Sequence, residues 1–98
     1  MDDALFNKII ETKNVAAFID EIKKISLTVT ENTYDIGKQQ GYELLLKLHD
    51  LGLEKDKVYQ LLFEFHNILE DNLSRCYIAD ILDYVCGWCS PQYRIWET

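Results

Sequence analysis

The chain has 98 residues, of which 48% carry hydrophobic side chains, so it is long enough for one packed core but too short for two. Seventeen acidic residues against ten basic residues give a formal net charge of −7, which opposes binding to nucleic-acid phosphates and to anionic lipid surfaces. With three cysteines, no signal-peptide pattern and no apolar run of membrane length, the chain is expected to be a single cytoplasmic domain over residues 1–98.

The first half of the chain predicts three helices separated by polar breaks. The first helix ends at residues 12–14, and Asn14 then caps a second helix with the sequence VAAFIDEIKKI. The next run, SLTVTENT, alternates like a strand, but we interpret it as a loop or a frayed helix end because the chain offers no second strand. The third helix begins at Asn32 or Thr33 and ends at Leu51. The inward residues of the first two helices are Leu5, Phe6, Ile9, Ile10, Val15, Phe18, Ile19, Ile22 and Ile25.

Three glycines give specific local predictions. Gly37 and Gly41 lie one turn apart in the apolar stripe of the third helix, where each costs up to about 1 kcal/mol of helix propensity. We therefore predict close backbone packing against a neighbouring helix; the alternative is a helix that begins only after Gly41. Gly52 predicts a Schellman ending, in which Leu53 folds back onto Leu48. Such an ending favours a tight antiparallel pair formed by the third and fourth helices.

The stretch VYQLLFEFHNIL at residues 58–69 is the most apolar helical pattern in the chain. Its hydrophobic side chains cover roughly 220° of the helix circumference, so we expect this fourth helix, which ends at Asp71, to lie at the centre. A fifth helix is capped by Ser74 and is stopped by Pro91, and the apolar tail that follows is expected to pack back on the bundle. The predicted fold is an all-α, single compact bundle of about five helices. The inward residues of the fifth helix are Ile78, Ile81, Leu82, Val85 and Cys86.

A C-x-x-C motif, CGWC at residues 86–89, is the most recognisable chemical pattern. In thioredoxin-like sites this motif opens a helix, where the dipole lowers the thiol pKa, whereas here it closes a helix and no βαβ pattern surrounds it. A structural zinc site needs four ligands, and only Cys76, His49 and His66 remain, without a matching second pair. We interpret the cysteines as core or half-buried residues and expect no metal and no cofactor.

No residue pattern indicates catalysis. His66 has Glu70 one turn further on, which favours a helix-surface pair over a general base, and His49 suits the last turn of its helix. No serine or cysteine has a recognisable base partner, and no glycine-rich loop follows a strand. The chain is therefore predicted not to be an enzyme.

The charge distribution is more informative than any motif. Residues 58–93 carry five acidic residues against Arg75 alone, so the polar sides of the last two long helices are almost purely acidic. Tyr84 and Tyr77 fall beside these acids, and an acidic face with tyrosine anchors suits docking to a basic protein. The predicted contact residues are Glu64, Glu70, Asp71, Asp80, Asp83 and Tyr84.

The run from residue 52 to residue 96, GLEKDKVYQLLFEFHNILEDNLSRCYIADILDYVCGWCSPQYRIW, resembles small helical proteins of bacterial toxin loci. In size, acidity and helical build, the whole chain resembles the immunity proteins of contact-dependent growth inhibition and related polymorphic toxin systems. The resemblance implies a protein that binds one toxin domain, often a basic nuclease, and blocks its active site or its access to substrate. It rests on no diagnostic motif and carries no functional residue over to this chain.

Two other functions stay open. The chain is alternatively a small regulatory or assembly subunit that docks a partner through an apolar groove, with Ile36, Tyr42 and Leu46 of the third helix as contacts. The third hypothesis is a thiol redox or metal protein, which requires Cys86 and Cys89 to act together.

Overall fold

A computed structural model describes the backbone of residues 3–88 and 91–96 and the side chains of residues 14–88 and 91–96. The described residues are all-helical and form no strand, which confirms the predicted all-α class. This part of the chain contains four α-helices rather than about five, packed as a bundle. Their bounds are α1 Asp3–Thr28, α2 Tyr34–Asp50, α3 Lys55–Ile68 and α4 Asn72–Cys86, and a short 3₁₀ turn follows at Pro91–Tyr93.

The first two predicted helices are one continuous helix, α1, of 26 residues. The predicted break at 12–14 is wrong because Asn14 only lowers helix propensity, by about 0.7 kcal/mol, and no glycine or proline interrupts the backbone there. α1 also takes in the start of the SLTVTENT run, where the Thr28 hydroxyl donates a hydrogen bond to the Lys24 carbonyl at 3.1 Å. The predicted core side chains Leu5, Phe6, Ile9 and Ile10 lie outside the described side chains.

The centre of the bundle is α4, not the helix at residues 58–69 that the sequence pattern predicted. α4 packs against all three other helices, whereas α3 buries only Val58 and Leu62 and leaves Tyr59 and Phe63 36% and 42% exposed. A wide apolar arc puts hydrophobic side chains on several sides of a helix, but it does not supply neighbours to cover them. The buried residues of α4 are Ser74, Tyr77, Ile78, Ile81, Leu82 and Val85.

α2 approaches α4 closely at its two glycines, as predicted. A Cβ atom added at Gly41 would lie 2.5 Å from the hydroxyl oxygen of Tyr77 and 2.6 Å from Cδ1 of Ile81. A Cβ atom added at Gly37 would lie 3.2 Å from Cγ2 of Ile25 on α1. Because only glycine lets the backbone of α2 come this near, these two positions set the spacing between α2 and its neighbours.

The end of α2 has the predicted Schellman geometry. Gly52 has a φ of +86°, and the N–H groups of Leu53 and Gly52 donate to the carbonyl oxygens of Leu48 at 3.2 Å and His49 at 2.9 Å. The predicted tight pairing across this turn is wrong, because α2 and α3 contact each other little and lie instead against α1 and α4. The turn fixes the direction of the chain but not the helix faces that pack together.

α4 begins and ends at residues other than those predicted. Asp71, not Ser74, is the N-cap, and its carboxylate accepts a hydrogen bond from the N–H of Ser74 at 2.9 Å. Gly87 has a φ of +84° and ends the helix before Pro91 is reached.

The tail after α4 packs back on the bundle, as its apolar residues predict. The side chain of Ile95 is buried in the core. The indole N–H of Trp96 donates a hydrogen bond to the carbonyl of Leu53 at 3.0 Å, and its ring meets the His49 ring edge-on at a centroid distance of 5.6 Å. The tail therefore fastens the end of the chain to the turn between α2 and α3.

Candidate functional site

Asp80 is a half-buried residue of α4 that is held by residues of α2. The hydroxyl of Tyr34 donates a hydrogen bond to its Oδ2 atom, and the Nζ atom of Lys38 lies 4.0 Å from the same oxygen. Burial, followed by the hydrogen bond to Asp80, raises the pKa of Tyr34, so the phenol keeps its proton and remains a donor. Asp80 is therefore a fixed carboxylate whose charge is partly balanced by one lysine.

Asp83 lies one turn further along α4, on the same side of the helix as Asp80. Partial burial, followed by the charge of Asp80, raises the pKa of Asp83, and Lys38 opposes this shift. The Asp83 carboxylate has lost part of its hydration and is repelled by its neighbour. A cation brought to this position therefore gains a favourable partner.

Three tyrosine rings cluster beside these acids. The ring of Tyr42 on α2 meets the rings of Tyr84 and Tyr93 edge-on, at centroid distances of 5.4 and 5.5 Å. The centroids of Tyr84 and Tyr93 are 5.9 Å apart, so all three rings contact one another. Tyr77 was also predicted to lie on the surface beside these acids, but it is fully buried in the core. Tyr84 takes the surface position that the sequence predicted, although it is half-buried by its neighbours.

A cleft of about 490 Å³ is lined by the tyrosine cluster and by Lys38, the lysine that lies beside Asp80. Asp35 and Glu43 line it from α2, which adds two carboxylates to Asp80 and Asp83 of α4. We call these four acids and Tyr84 the α2/α4 face. The two acids of α2 lie outside residues 58–93, the acidic stretch from which the contact surface was predicted, and the packing of α2 on α4 brings them to this cleft. The residues that line the cleft are Asp35, Lys38, Gln39, Tyr42, Glu43, Leu46, Tyr84 and Tyr93.

The other three predicted contact residues lie elsewhere. Glu64 is exposed on α3 and points about 200° round the helix from the buried Leu62, away from the core. Asp71 is the N-cap of α4. It lies about 180° round that helix from Asp80 and roughly 14 Å away along the helix axis. Glu70 lies in the connection between the two helices, because α3 ends before reaching it. The predicted set is therefore divided, and only Asp80, Asp83 and Tyr84 come together.

A second concave surface lies on the other side of Asp83, between α3 and α4. Its α3 wall is a stack of nearly parallel rings. The ring centroids of Tyr59 and Phe63 are 5.6 Å apart with an angle of 13° between the ring planes, and those of Phe63 and His66 are 6.4 Å apart with an angle of 11°. Trp88, which is 82% exposed, borders this space of about 290 Å³. We call its lining residues the α3/α4 groove; they are Tyr59, Phe63, His66, Ala79, Leu82, Asp83, Cys86 and Trp88.

The predicted pair between His66 and Glu70 does not form, and no salt bridge joins these two described residues. Glu70 lies beyond the end of α3, so the spacing of one helical turn on which the pair depended does not exist. His66 instead extends the ring stack, and its Nδ1 atom is buried without a hydrogen-bond partner. Its ring therefore serves as part of the wall of the α3/α4 groove.

Cys76 is exposed, so it is not the core or half-buried residue that was predicted. Cys86 is also exposed, which contradicts the prediction that it faces the core. It lies at the edge of the buried arc of α4, where the groove towards α3 is open. Partial desolvation of the thiol by its neighbours, followed by the charge of Asp83, raises the pKa of Cys86, and Lys55 opposes this shift. A raised thiol pKa is the opposite of what a redox nucleophile needs. Cys89, the second cysteine of the motif, lies outside the described residues.

The alternative docking residues of α2 do not share one groove. Ile36 is 62% exposed and borders a small cleft with Ile25 and Val29 at the end of α1. Tyr42 and Leu46 instead line the cleft of the α2/α4 face. Among the described side chains, those of residues 14–88 and 91–96, no three His, Cys, Asp or Glu residues come together as a metal site.

These features define a small all-α protein with an acidic, tyrosine-lined face and an adjoining aromatic groove. None of the helices in the described part of the chain combines the length and the apolar character that crossing a membrane requires. No protein-family profile matches the chain, and comparisons with curated proteins and with solved structures find no match.

Proposed function

We propose that this protein binds a cationic protein partner and blocks it, as an immunity protein neutralises a basic, nuclease-type toxin domain. The proposal is carried by the α2/α4 face. Asp35, Glu43 and three packed tyrosines line its cleft, and Lys38 of the same cleft lies 4.0 Å from Asp80, which has Asp83 one turn further along α4. The proposed activity is binding without catalysis, and the proposed compartment is the cytoplasm.

Electrostatics and aromatic anchoring have separate roles in this proposal. The excess of carboxylates on the α2/α4 face, within a chain of net charge −7, attracts a basic partner and speeds its encounter. The tyrosine rings are already ordered by their contacts with one another, so binding immobilises them at little further entropic cost. Tyrosines held in this way are frequent sources of interface affinity. A toxin surface that binds nucleic-acid phosphates has the positive charge that this face complements.

That the partner is a toxin domain is inferred from the resemblance of the chain to immunity proteins and from charge complementarity. We expect the reading frame immediately upstream to encode a large exported protein whose C-terminal domain is basic. Co-expression of that domain should arrest growth, and this protein should relieve the arrest. The rate of association should fall by about tenfold or more between roughly 50 and 300 mM salt, because an electrostatically steered encounter is screened.

Charge reversal on the α2/α4 face provides the matched test. Glu43→Lys combined with Asp83→Lys should abolish protection and slow association, while leaving the bond between Tyr34 and Asp80 in place. The control is Glu64→Lys with Glu70→Lys, which makes the same change in net charge away from the face and should retain protection. Equal effects of the two double variants, or an association rate insensitive to salt, would contradict the proposal. The second result would favour docking through an apolar groove.

A further inference from the structure

The α3/α4 groove exposes more aromatic surface than folding requires. Tyr59, Phe63 and Trp88 are 36%, 42% and 82% exposed, although each has the size and character of a core side chain. From this groove and its charge we infer that it receives the apolar side chains of a cationic amphipathic segment of the partner. This inference rests on the proposed function, because it describes how the same cationic partner is anchored.

The shape of the groove fits a short helical or extended segment. Tyr59, Phe63 and His66 follow one side of α3 over eight residues, which corresponds to about 10 Å of helix between the first and the last. Their rings lie nearly parallel and form a flat wall, while Leu82 and Ala79 of α4 line the groove opposite them. A wall of this length matches about two turns of an amphipathic helix laid in a groove.

The charge of the groove indicates the charge of its occupant. Asp83 lies on the α4 rim, and no lysine or arginine is among the eight lining residues. Lys55 lines a neighbouring small cleft with Tyr59 and Cys86, and Asp56 lines that cleft too, so the lysine is accompanied there by a carboxylate. Asp80, one turn from Asp83, faces α2 and its charge is partly balanced by Lys38, so Asp83 is the carboxylate among the lining residues of this groove. A segment with apolar groups facing the rings and a basic group near Asp83 is therefore complementary to the groove.

A second copy of this chain is a poor occupant. Each copy carries a net charge of −7, and two copies joined through this groove would bring their Asp83 carboxylates to one small interface. Like charges placed together at an interface act against association. The groove therefore favours a partner of opposite charge.

Two synthetic helical peptides test the inference on the full-length protein. One has leucine on one face and lysine on the other, and its match has glutamate in place of every lysine. The lysine peptide should bind and shift the fluorescence emission of Trp88 to the blue, because the exposed indole becomes covered. Trp88→Phe should remove that shift and leave only the signal of Trp96. The glutamate peptide should not bind.

Matched variants locate the binding on the groove. Phe63→Ala should raise the Kd of the lysine peptide by about tenfold or more, and Asp83→Asn by about threefold or more. Ile68→Ala removes a 73% exposed side chain from the same helix outside the groove, and Glu64→Gln removes a carboxylate on the far side of α3. Both control variants should change the Kd by less than about twofold.

Three results would overturn the inference. The first is equal weakening of peptide binding by Phe63→Ala and Ile68→Ala, and the second is equal binding of the two peptides. The third is a dimer, seen by sedimentation equilibrium, that Phe63→Ala dissociates, because the occupant would then be a second copy. If Phe63→Ala leaves peptide binding unchanged while Glu43→Lys with Asp83→Lys abolishes toxin protection, the groove assignment fails and the proposed function stands. If the peptide variants behave as expected but neither double variant affects protection, the proposed function fails.

Discussion

The hydroxyl of Tyr77 donates a buried hydrogen bond of 2.7 Å to the backbone carbonyl of Gly37, which joins the central helix α4 to α2. The two residues are 40 positions apart in the chain. The bond is possible because α2 has glycine at both positions nearest this ring, so its backbone comes within reach of the phenol. The same contact fixes α2 beside Asp80 and Asp83, and so it positions the α2/α4 face.

Tyr77→Phe should lower the free energy of unfolding by about 1 kcal/mol, since it removes one buried hydrogen bond and keeps the ring. Urea denaturation followed by circular dichroism measures this loss. Tyr59→Phe is the control, because its side chain is exposed on α3, and it should change stability by less than about 0.5 kcal/mol. A loss equal to that of the control would mean that the bond contributes nothing.

Gly41→Ala should destabilise the protein by about 1–3 kcal/mol, although alanine is ordinarily the better helix former by about 1 kcal/mol. The added methyl group would lie 2.5 Å from the Tyr77 hydroxyl and 2.6 Å from Ile81, so α2 must move away from α4. Thermal and urea unfolding measure the effect. Gln40→Ala, at an exposed neighbouring position, should be neutral or slightly stabilising. Unchanged stability in Gly41→Ala would show that close packing does not need this glycine.

Stability should fall as the pH rises above about 10. Burial raises the pKa values of both Tyr77 and Tyr34 above the ordinary value, so the unfolded chain releases these two protons at a lower pH than the folded chain does. The contribution is therefore fully present below about pH 10 and is lost progressively as the pH rises towards the folded-state pKa. Urea midpoints at about pH 8 and pH 10.5 should differ less in Tyr77→Phe than in the wild type. A wild-type midpoint that is unchanged between these two pH values would contradict the prediction.

Asp71→Ala should cost about 1 kcal/mol of stability, because the Asp71 carboxylate accepts from the first turn of α4. Asp71→Asn should recover most of this loss, since asparagine is also a good N-cap. Comparing the two variants separates the effect of the cap from the effect of the charge, and denaturation curves measure the free energy of unfolding of each. Neither variant should weaken binding of a cationic partner, because Asp71 lies away from the α2/α4 face. A specific loss of binding in Asp71→Asn would return this residue to the contact surface.

The predictions that held concern short stretches of backbone. Gly52 ends α2 with a positive φ because few other residues tolerate that conformation, and the two glycines of α2 pack closely because the apolar stripe of the helix requires them to face a neighbour. Two of the predictions that failed concern competition between neighbouring signals. Asn14 is a favoured N-cap residue, but α1 continues on both sides of it. Asp71 is the N-cap of α4, although Ser74, three residues further on, is also a residue type that caps helices.

The candidate site was only partly accessible from the sequence. Asp80, Asp83 and Tyr84 come together because they share one side of one helix, which helical periodicity predicts. Asp35 and Glu43 join them only because α2 packs on α4, and the Tyr34 hydrogen bond to Asp80 crosses 46 positions of chain. No pattern within a single helix contains that information.

The sequence by itself determined the helical character, the glycine-dependent turn and contact, and the acidity of the chain. Periodicity and backbone sterics act over a few residues, and charge is a sum over composition. Only the tertiary structure decided that α4 is central, that the aromatic side of α3 stays open and that carboxylates of α2 and α4 share a face. Those outcomes depend on which apolar surfaces cover one another best across the whole chain, because each helix has more than one side that it can bury.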